Sequence, residues 1–326
     1  EEECKLVDAP YRDNGWTWQR EYIDWLEEND QSVTLKGRQL GVSWVWDGLL
    51  LADVVLHAGI DDLVYSIKED DANEQINRIW DMYLTLPADF TDHLTIIKPY
   101  GGSRPSNRIE LQHPDGRIST ITGMPATKKA GHSRVARRVL FDEAAHQEYA
   151  RELWKALVPA AGDKGGKMGA VSTANGMSDG RGLGNFFHEL WIGSGRVNYP
   201  SVKRRFLSWR LHPDRNDDWY SRGPLDAASK AEQYPNSPDE AFLLSGTPFF
   251  SVDSLYLYAK TVVQPVKTGG FRPQVGNPST GVWDSDLPFI EVYRLPEDGP
   301  RYVMACDVAK GTGLDKALGF ERQANY

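Results

Sequence analysis

A short glycine-containing turn set between an apolar strand and an apolar helix constrains this chain more than any other feature. Residues Leu35 to Trp44 read LKGRQLGVSW. Ahead of them, Gln31–Leu35 (QSVTL) closes on a β-branched and apolar run, and behind them Trp44–Leu56 (WVWDGLLLADVVL) predicts a mostly apolar helix. Strand, tight loop, helix is the context of the phosphate-binding loop G-x-x-x-x-G-K-[ST]. In that loop backbone N–H groups cradle phosphates, a lysine reaches the β- and γ-phosphates, and a Ser/Thr hydroxyl meets Mg²⁺. On that frame Gly41 and Ser43 fall in place, Val42 stands where the lysine belongs, and Lys36 takes the slot of the first glycine. A cation at either end of so small a loop can point at the same phosphates, so the charge is kept. By itself the pattern is degenerate, and an ordinary glycine turn has the same letters.

A second segment changes the weight of the first. Arg137–Ala145 reads RRVLFDEAA, an apolar strand (Val139, Leu140, Phe141) that delivers Asp142 and Glu143 at its C-terminal end. One acid at such a place can hold Mg²⁺, and a following glutamate can polarise the attacking water. A lone Asp-Glu after a buried strand is commonly just solvated. Following a phosphate loop by about a hundred residues, it reads as the other half of one site. A third strand, Lys167–Val171, ends in Ser172, Thr173, Ala174 and Asn175, a small polar cluster where a γ-phosphate sensor would sit. Together the three segments predict ATP hydrolysis with Mg²⁺.

The rest of the chain alternates in the same way. Trp16–Glu27 predicts an aromatic-rich helix, Asp62–Ile67 a strand, and Asp70–Leu84 a helix with Ile76, Ile79, Trp80 and Tyr83 on one face. Arg108–Gln112 and Ile118–Ile121 predict a hairpin around Pro114-Asp115-Gly116. The expected fold is therefore α/β, a phosphate-loop sheet of the RecA type with flanking helices. From about Val202 the pattern turns Trp-, Asp- and Pro-rich, and Lys267–Thr280, rich in Gly and Pro, reads as a linker. At 326 residues there is room for two domains, and 40% hydrophobic with 25% charged residues is the make-up of an ordinary soluble globular protein. No apolar stretch reaches the roughly 18 residues of a membrane span, and Cys4 and Cys306 have no metal-ligand spacing. A net charge of −9 excludes a chain coated in nucleic acid but not a local track. Basic residues gather at Lys128, Lys129, His132, Arg134, Arg137 and Arg138, and again at Lys203, Arg204, Arg205 and Arg210.

These motifs, in this order, resemble the large terminase subunit of tailed bacteriophages. The likeness runs from an aromatic/Gln motif around Gln19 through the displaced-lysine loop, the DEA strand and the Ser/Thr-Ala-Asn cluster. It continues through Glu232–Phe250 (EQYPNSPDEAFLLSGTPFF) to Tyr302–Asp315 (YVMACDVAKGTGLD), which is similar to the opening strand of an RNase H-like nuclease. The resemblance implies an ATPase domain over residues 1–200, a linking (lid) subdomain over 201–265, and a linker with the first part of a nuclease domain over 266–326.

It also implies roles. Gln19 would read adenine, with Trp16, Trp18 or Tyr22 for stacking. Lys36, Gly37, Arg38, Gln39, Gly41, Val42 and Ser43 would form the ATP loop, with Arg38 the cis catalytic arginine. Ser43 and Asp142 would hold Mg²⁺, Glu143 would activate water, and Ser172, Thr173 and Asn175 would couple hydrolysis to movement. Asp307 and Asp315 would belong to a nuclease site using Mg²⁺ or Mn²⁺. Where many relatives carry a trans-acting arginine this chain has Ala130, which leaves that part to Lys128, Lys129, Arg134 or a residue elsewhere. The eleven residues after Asp315 do not complete a nuclease sheet, so a truncated chain that does not cut DNA by itself is expected. The implied partners are double-stranded DNA, the portal and procapsid, a small terminase subunit and copies of the chain in a ring, with no membrane. The implied setting is the cytoplasm of the infected host, outside the mature virion. A helicase-like ATPase and a non-hydrolysing nucleotide-binding scaffold are the alternatives. Against the first, residues 201–326 hold no second phosphate-loop sheet; against the second stands Glu143.

Overall fold

The computed structural model describes residues 16–128, 136–162, 165–176, 185–244, 254, 261, 266–274, 277–285 and 290–292. Lys129, Ala130, Gly131, His132, Arg134, the stretch 245–250, Asp307 and Asp315 lie outside them. The chain divides into two compact units, Glu1–Lys260 and Thr261–Tyr326.

The first unit opens with helix α1 (Trp18–Glu28), strand β1 (Gln31–Lys36), helix α2 (Val42–Leu56), strand β2 (Asp61–Ser66) and helix α3 (Glu69–Leu84). Strands β3 (Thr95–Lys98), β4 (Arg108–Gln112), β5 (Ile118–Pro125) and β6 (Arg138–Asp142) follow. Then come helix α4 (Ala150–Gly162), strand β7 (Lys167–Ser172), helix α5 (Phe186–Gly193) and strand β8 (Val202–Leu207). Three short helices, α6 (Asp217–Arg222), α7 (Ala227–Gln233) and α8 (Pro238–Leu244), close the described part of the unit. One eight-stranded sheet runs β3-β4-β5-β2-β6-β7-β1-β8. From β5 to β8 every pairing is parallel, while β3–β4 and β4–β5 are antiparallel.

Parallel strands covered on both faces are buried along nearly their whole length, as β1, β2, β6 and β7 are. Their buried polar side chains (Thr34 and Asp62 among them) take hydrogen-bond partners within the fold. Alternation sorts their side chains between two cores. Leu63, Tyr65, Val139 and Phe141 pack with Leu153, Trp154 and Leu157 of α4 and Phe187 and Leu190 of α5. Val64 and Leu140 pack on the other face with Tyr22 and Leu26 of α1, Trp46 and Leu50 of α2, and Ile76 and Ile79 of α3. A buried polar chain ties three elements of that face. Trp46 Nε1 donates to the Tyr22 hydroxyl at 3.2 Å, which lies 2.8 Å from Thr34 Oγ1.

Two organisational expectations shift. Residues 202–207, read as the start of the linking segment, are a strand of the main sheet, paired in parallel with β1 from Gln31↔Val202 to Lys36↔Leu207. Residues Lys267–Thr280, read as a linker, are largely strand. In the second unit β9 (Lys267–Gln274) pairs antiparallel with β10 (Asn277–Asp284) and with β11 (Ile290–Val292). The glycines that suggested a linker make room for an indole. A Cβ on Gly269 would stand 2.3 Å from the Trp283 ring, and Lys267 Nζ lies 4.3 Å from the centre of that ring.

Among the described residues of the basic clusters, several are tied to neighbours within the fold. Arg138 is buried, its Nε 2.8 Å from Asp53 and its Nη2 2.8 Å from Glu27. On the β8 edge, Arg204 lies over Trp191 and Arg205 over Trp25, and Arg210 pairs with Asp217.

Candidate active site

Strand order decides where a site can form. The chain leaves β1 through α2 and returns as β2, on the far side of β7 and β6, so the C-terminal tips of β1, β7 and β6 stand side by side with a crevice over them. In open parallel sheets this is where ligands bind. Those tips carry Lys36, Ser172 and Asp142 with Glu143.

The loop between β1 and α2 is shaped by two left-handed residues, Gln39 (φ 58°) and Gly41 (φ 70°). Its first two amides are committed: Gly37 N–H donates to Leu207 O at 2.9 Å and Arg38 N–H to Gln233 O at 2.7 Å. Arg215 donates to Arg38 O at 2.7 Å and to Gln39 Oε1 at 3.1 Å. Gly41 then opens α2 with no side-chain cap, so the positive end of a fifteen-residue helix faces the crevice. A Cβ on Gly41 would come within 3.3 Å of the buried Gln19 amide, so glycine lets Gln19 lie against the loop.

A cavity of about 380 Å³ runs along this loop, lined among others by Trp16, Gln19, Lys36, Ser43, Arg78 and Arg215. Three cations and a helix N-terminus face it, with no carboxylate among its described lining residues, which is the electrostatics of an anion site. Trp16 meets His212 edge-on at 5.0 Å across one end. Trp18 and Tyr22 instead pack in the core. Beside this cavity a second, of about 280 Å³, has the opposite character, with Asp71, Glu74, Asp142 and Glu143 in its lining.

Between the cavities the predicted residues meet. Lys36 Nζ lies 2.7 Å from Glu143 Oε1, and Ser172 Oγ donates to Glu143 Oε2 at 3.1 Å. Ser43 Oγ lies 3.2 Å from both oxygens of Asp142. Glu143 is itself left-handed (φ 53°), a conformation costing a non-glycine residue roughly 1–2 kcal/mol and concentrated at functional sites. Burial, reinforced by the neighbouring Glu143 charge, pushes Asp142 up to about 6. Burial would also raise Glu143, but the Lys36 ammonium outweighs it and holds that carboxyl below its ordinary value. The two adjacent acids are thus split, one readily protonated and one ionised.

Among the described residues no group of three or more His, Cys, Asp or Glu could hold a metal ion. Ser43 and Asp142 nevertheless fit Mg²⁺, which takes one or two protein oxygens and completes its shell with water and substrate phosphates.

Of the other expected residues, Thr173 reaches Glu143 Oε2 through its N–H at 3.4 Å, and Asn175 Nδ2 donates to Ala145 O at 3.2 Å. Arg38 departs from expectation. With its amide and carbonyl both engaged it is exposed and does not line the cavity, and Arg78 and Arg215 supply the guanidinium groups there. Sequence reasoning missed those two, along with His212 and Gln147, whose Nε2 bridges Asp142 O at 2.7 Å and Tyr65 O at 2.8 Å. None of the four lies in a motif.

Fold and site together define an α/β protein with a mostly parallel sheet and an anion-binding crevice over its strand tips. The fold is similar to that of the large terminase ATPase domain of Thermus phage P74-26. One structure of that domain, an arginine-to-alanine mutant, matches with TM-score 0.52 and 18% identity over 66% of this chain and 89% of that one. A second structure of the domain matches with TM-score 0.51 and 18% identity over 63% and 87%. The HK97 bacteriophage large terminase is similar at TM-score 0.45 and 15% identity, over 75% of this chain and 46% of that one. No protein-family model matches, and no curated protein matches in sequence.

Proposed function

We propose that this chain is the ATPase portion of a large terminase, hydrolysing ATP to drive double-stranded viral DNA into a procapsid. The observation that carries the reading is the meeting of Lys36 with Glu143 and of Ser43 with Asp142 at one sheet edge, beside a cation-lined cavity. In this reading the adenine end lies by Trp16, Gln19 and His212, and the phosphates run along the α2 N-terminus to Lys36. Ser43 and Asp142 hold Mg²⁺, which neutralises charge on the β- and γ-phosphates when bound. Arriving phosphate draws Lys36 away from Glu143 and frees the carboxylate. Glu143 then takes a proton as the water oxygen attacks the γ-phosphorus. The bond from that phosphorus to the β,γ-bridging oxygen breaks, leaving ADP and inorganic phosphate. Ser172 and Thr173, both on Glu143 Oε2, feel that change first, and the contacts of Leu207, Arg215 and Gln233 with the loop carry it to residues 202–244.

The same reading assigns DNA held through its phosphates, a portal-bound ring, a small terminase subunit, action in the infected bacterial cytoplasm, and a nuclease drawing on Asp307 and Asp315. The decisive experiment is ATP turnover with and without procapsid. Turnover that procapsid and DNA stimulate, and that Glu143→Gln abolishes, supports the reading; absence of any nucleotide binding overturns it.

A further inference from the structure

Arg78 belongs to no motif, yet it is the residue common to the linings of the cation-rich and the acid-rich cavities. It comes from α3, across the crevice from the loop that carries Lys36. Its setting is more constrained than a surface arginine needs. Nε donates to Oδ2 of the fully buried Asp47 at 2.5 Å, and Gln75 Nε2 occupies the other oxygen at 2.7 Å. The guanidinium carbon lies 5.3 Å from the centre of the Trp44 ring. Asp47 is thus engaged through Nε, and the guanidinium lies over the Trp44 ring. The side chain borders both cavities and is still 23% exposed. A buried counter-charge that fixes the near end of an arginine while the far end meets solvent is how a planar donor is preorganised for phosphate oxygens.

We propose that Arg78 is a catalytic residue that contacts the terminal phosphate of bound nucleotide, opposite Lys36. It would bind the oxygens of the transferring phosphoryl group before and after the bridging bond breaks. The inference rests on the nucleotide reading above. It fills the place that sequence gave to Arg38, and it predicts discrimination between nucleotides with and without a third phosphate.

Calorimetric titration with Mg²⁺ and either ADP or the non-hydrolysable imido analogue of ATP tests it. In Arg78→Gln the affinity for the triphosphate analogue should fall by roughly 10- to 100-fold, the worth of one charged hydrogen bond, while that for ADP stays at the parent value. Arg78→Lys should recover only part of the loss. If leaving Asp47 unpaired unfolds Arg78→Gln, the double variant Asp47→Asn/Arg78→Gln removes both charges together and should show the same selective loss. Parental preference for the triphosphate in these variants, or an equal loss for both nucleotides, overturns the assignment and reduces Arg78 to a partner of Asp47. Failure of the parent protein to bind either nucleotide overturns the site and Arg78 with it.

Discussion

Strand β6 carries charge at both ends, and the two ends are built to opposite purposes. At Arg138 the charges are held by one another inside the fold, with Arg138 Nη1 and Asp62 Oδ2 left without a hydrogen bond. The guanidinium is shared between Asp53 and Glu27, and the Arg138 N–H donates to Asp62 at 2.8 Å. At Asp142 and Glu143, four residues on, the charges are grouped but exchangeable. Glu143 keeps 34% of its side chain exposed, Asp142 has a serine hydroxyl beside it, and the backbone between them is strained. One end buries its charges out of a ligand's reach, the Arg138 side chain being 3% exposed. The other keeps a lysine and a carboxylate in a pairing that an incoming phosphate can outbid. Charges paired out of reach of solvent make structure, whereas a replaceable pairing beside a cavity makes a site.

That contrast breaks most sharply at Glu143. Glu143→Gln is isosteric, so nucleotide should still bind, while turnover should fall by about 10²- to 10⁴-fold, the span of a lost general base. Steady-state phosphate release alongside nucleotide titration checks both halves, and parental turnover would take the base role from Glu143. At the other end, Arg138→Met breaks the buried pair with Asp53, leaving it only the more exposed Arg137 at 3.4 Å, and should cost up to about 3–5 kcal/mol. Urea denaturation measures the loss, and the fraction that stays folded should hydrolyse ATP at the parent rate. A drop in turnover with unchanged stability would reverse the roles given to the two ends.

Lys36→Ala should remove about 3–4 kcal/mol of transition-state stabilisation, as for one preorganised donor. It should also free Glu143 from its ion pair, so the carboxyl should titrate at higher pH than in the parent. The smallest effect is a pH trend. Asp142 is held near 6 in the folded chain against an ordinary value of 3.8. A raised folded-state value favours the protonated fold. Its contribution to stability is therefore present below about 4 and lost as pH rises through about 6. Without Mg²⁺, stability should decline across that window, and affinity for Mg²⁺-nucleotide should rise across it. Asp142→Asn should flatten both curves, and a parent with no trend would remove Asp142 from the metal position.

Local sequence was a good guide wherever function and secondary structure share one stretch of chain. Lys36, Ser43, Asp142 and Glu143 were legible because each sits at a junction that apolar runs announce, a strand tip or a helix start. The sheet class was legible for the same reason. The double burial of β6 and β7 gives apolar runs without a polar alternation, and the helices between the strands show their period. Glycine misled at 267–280, because a residue that loosens a linker also makes room for Trp283 against β9.

By itself, then, the sequence determined most strands of the main sheet, where a glycine loop joins strand to helix and which acids end a later strand, since these depend on side chains a few positions apart. Tertiary structure alone decided that β7 stands between β1 and β6, and that β8 pairs with β1. It alone turned Arg38 outward and brought Arg78 and Arg215 into the cavity. These outcomes depend on which buried partner each polar group finds across the fold. Asp47 is thirty-one residues from Arg78, and Arg215 is 177 from the carbonyl it grips, separations at which spacing along the chain carries no information about contact.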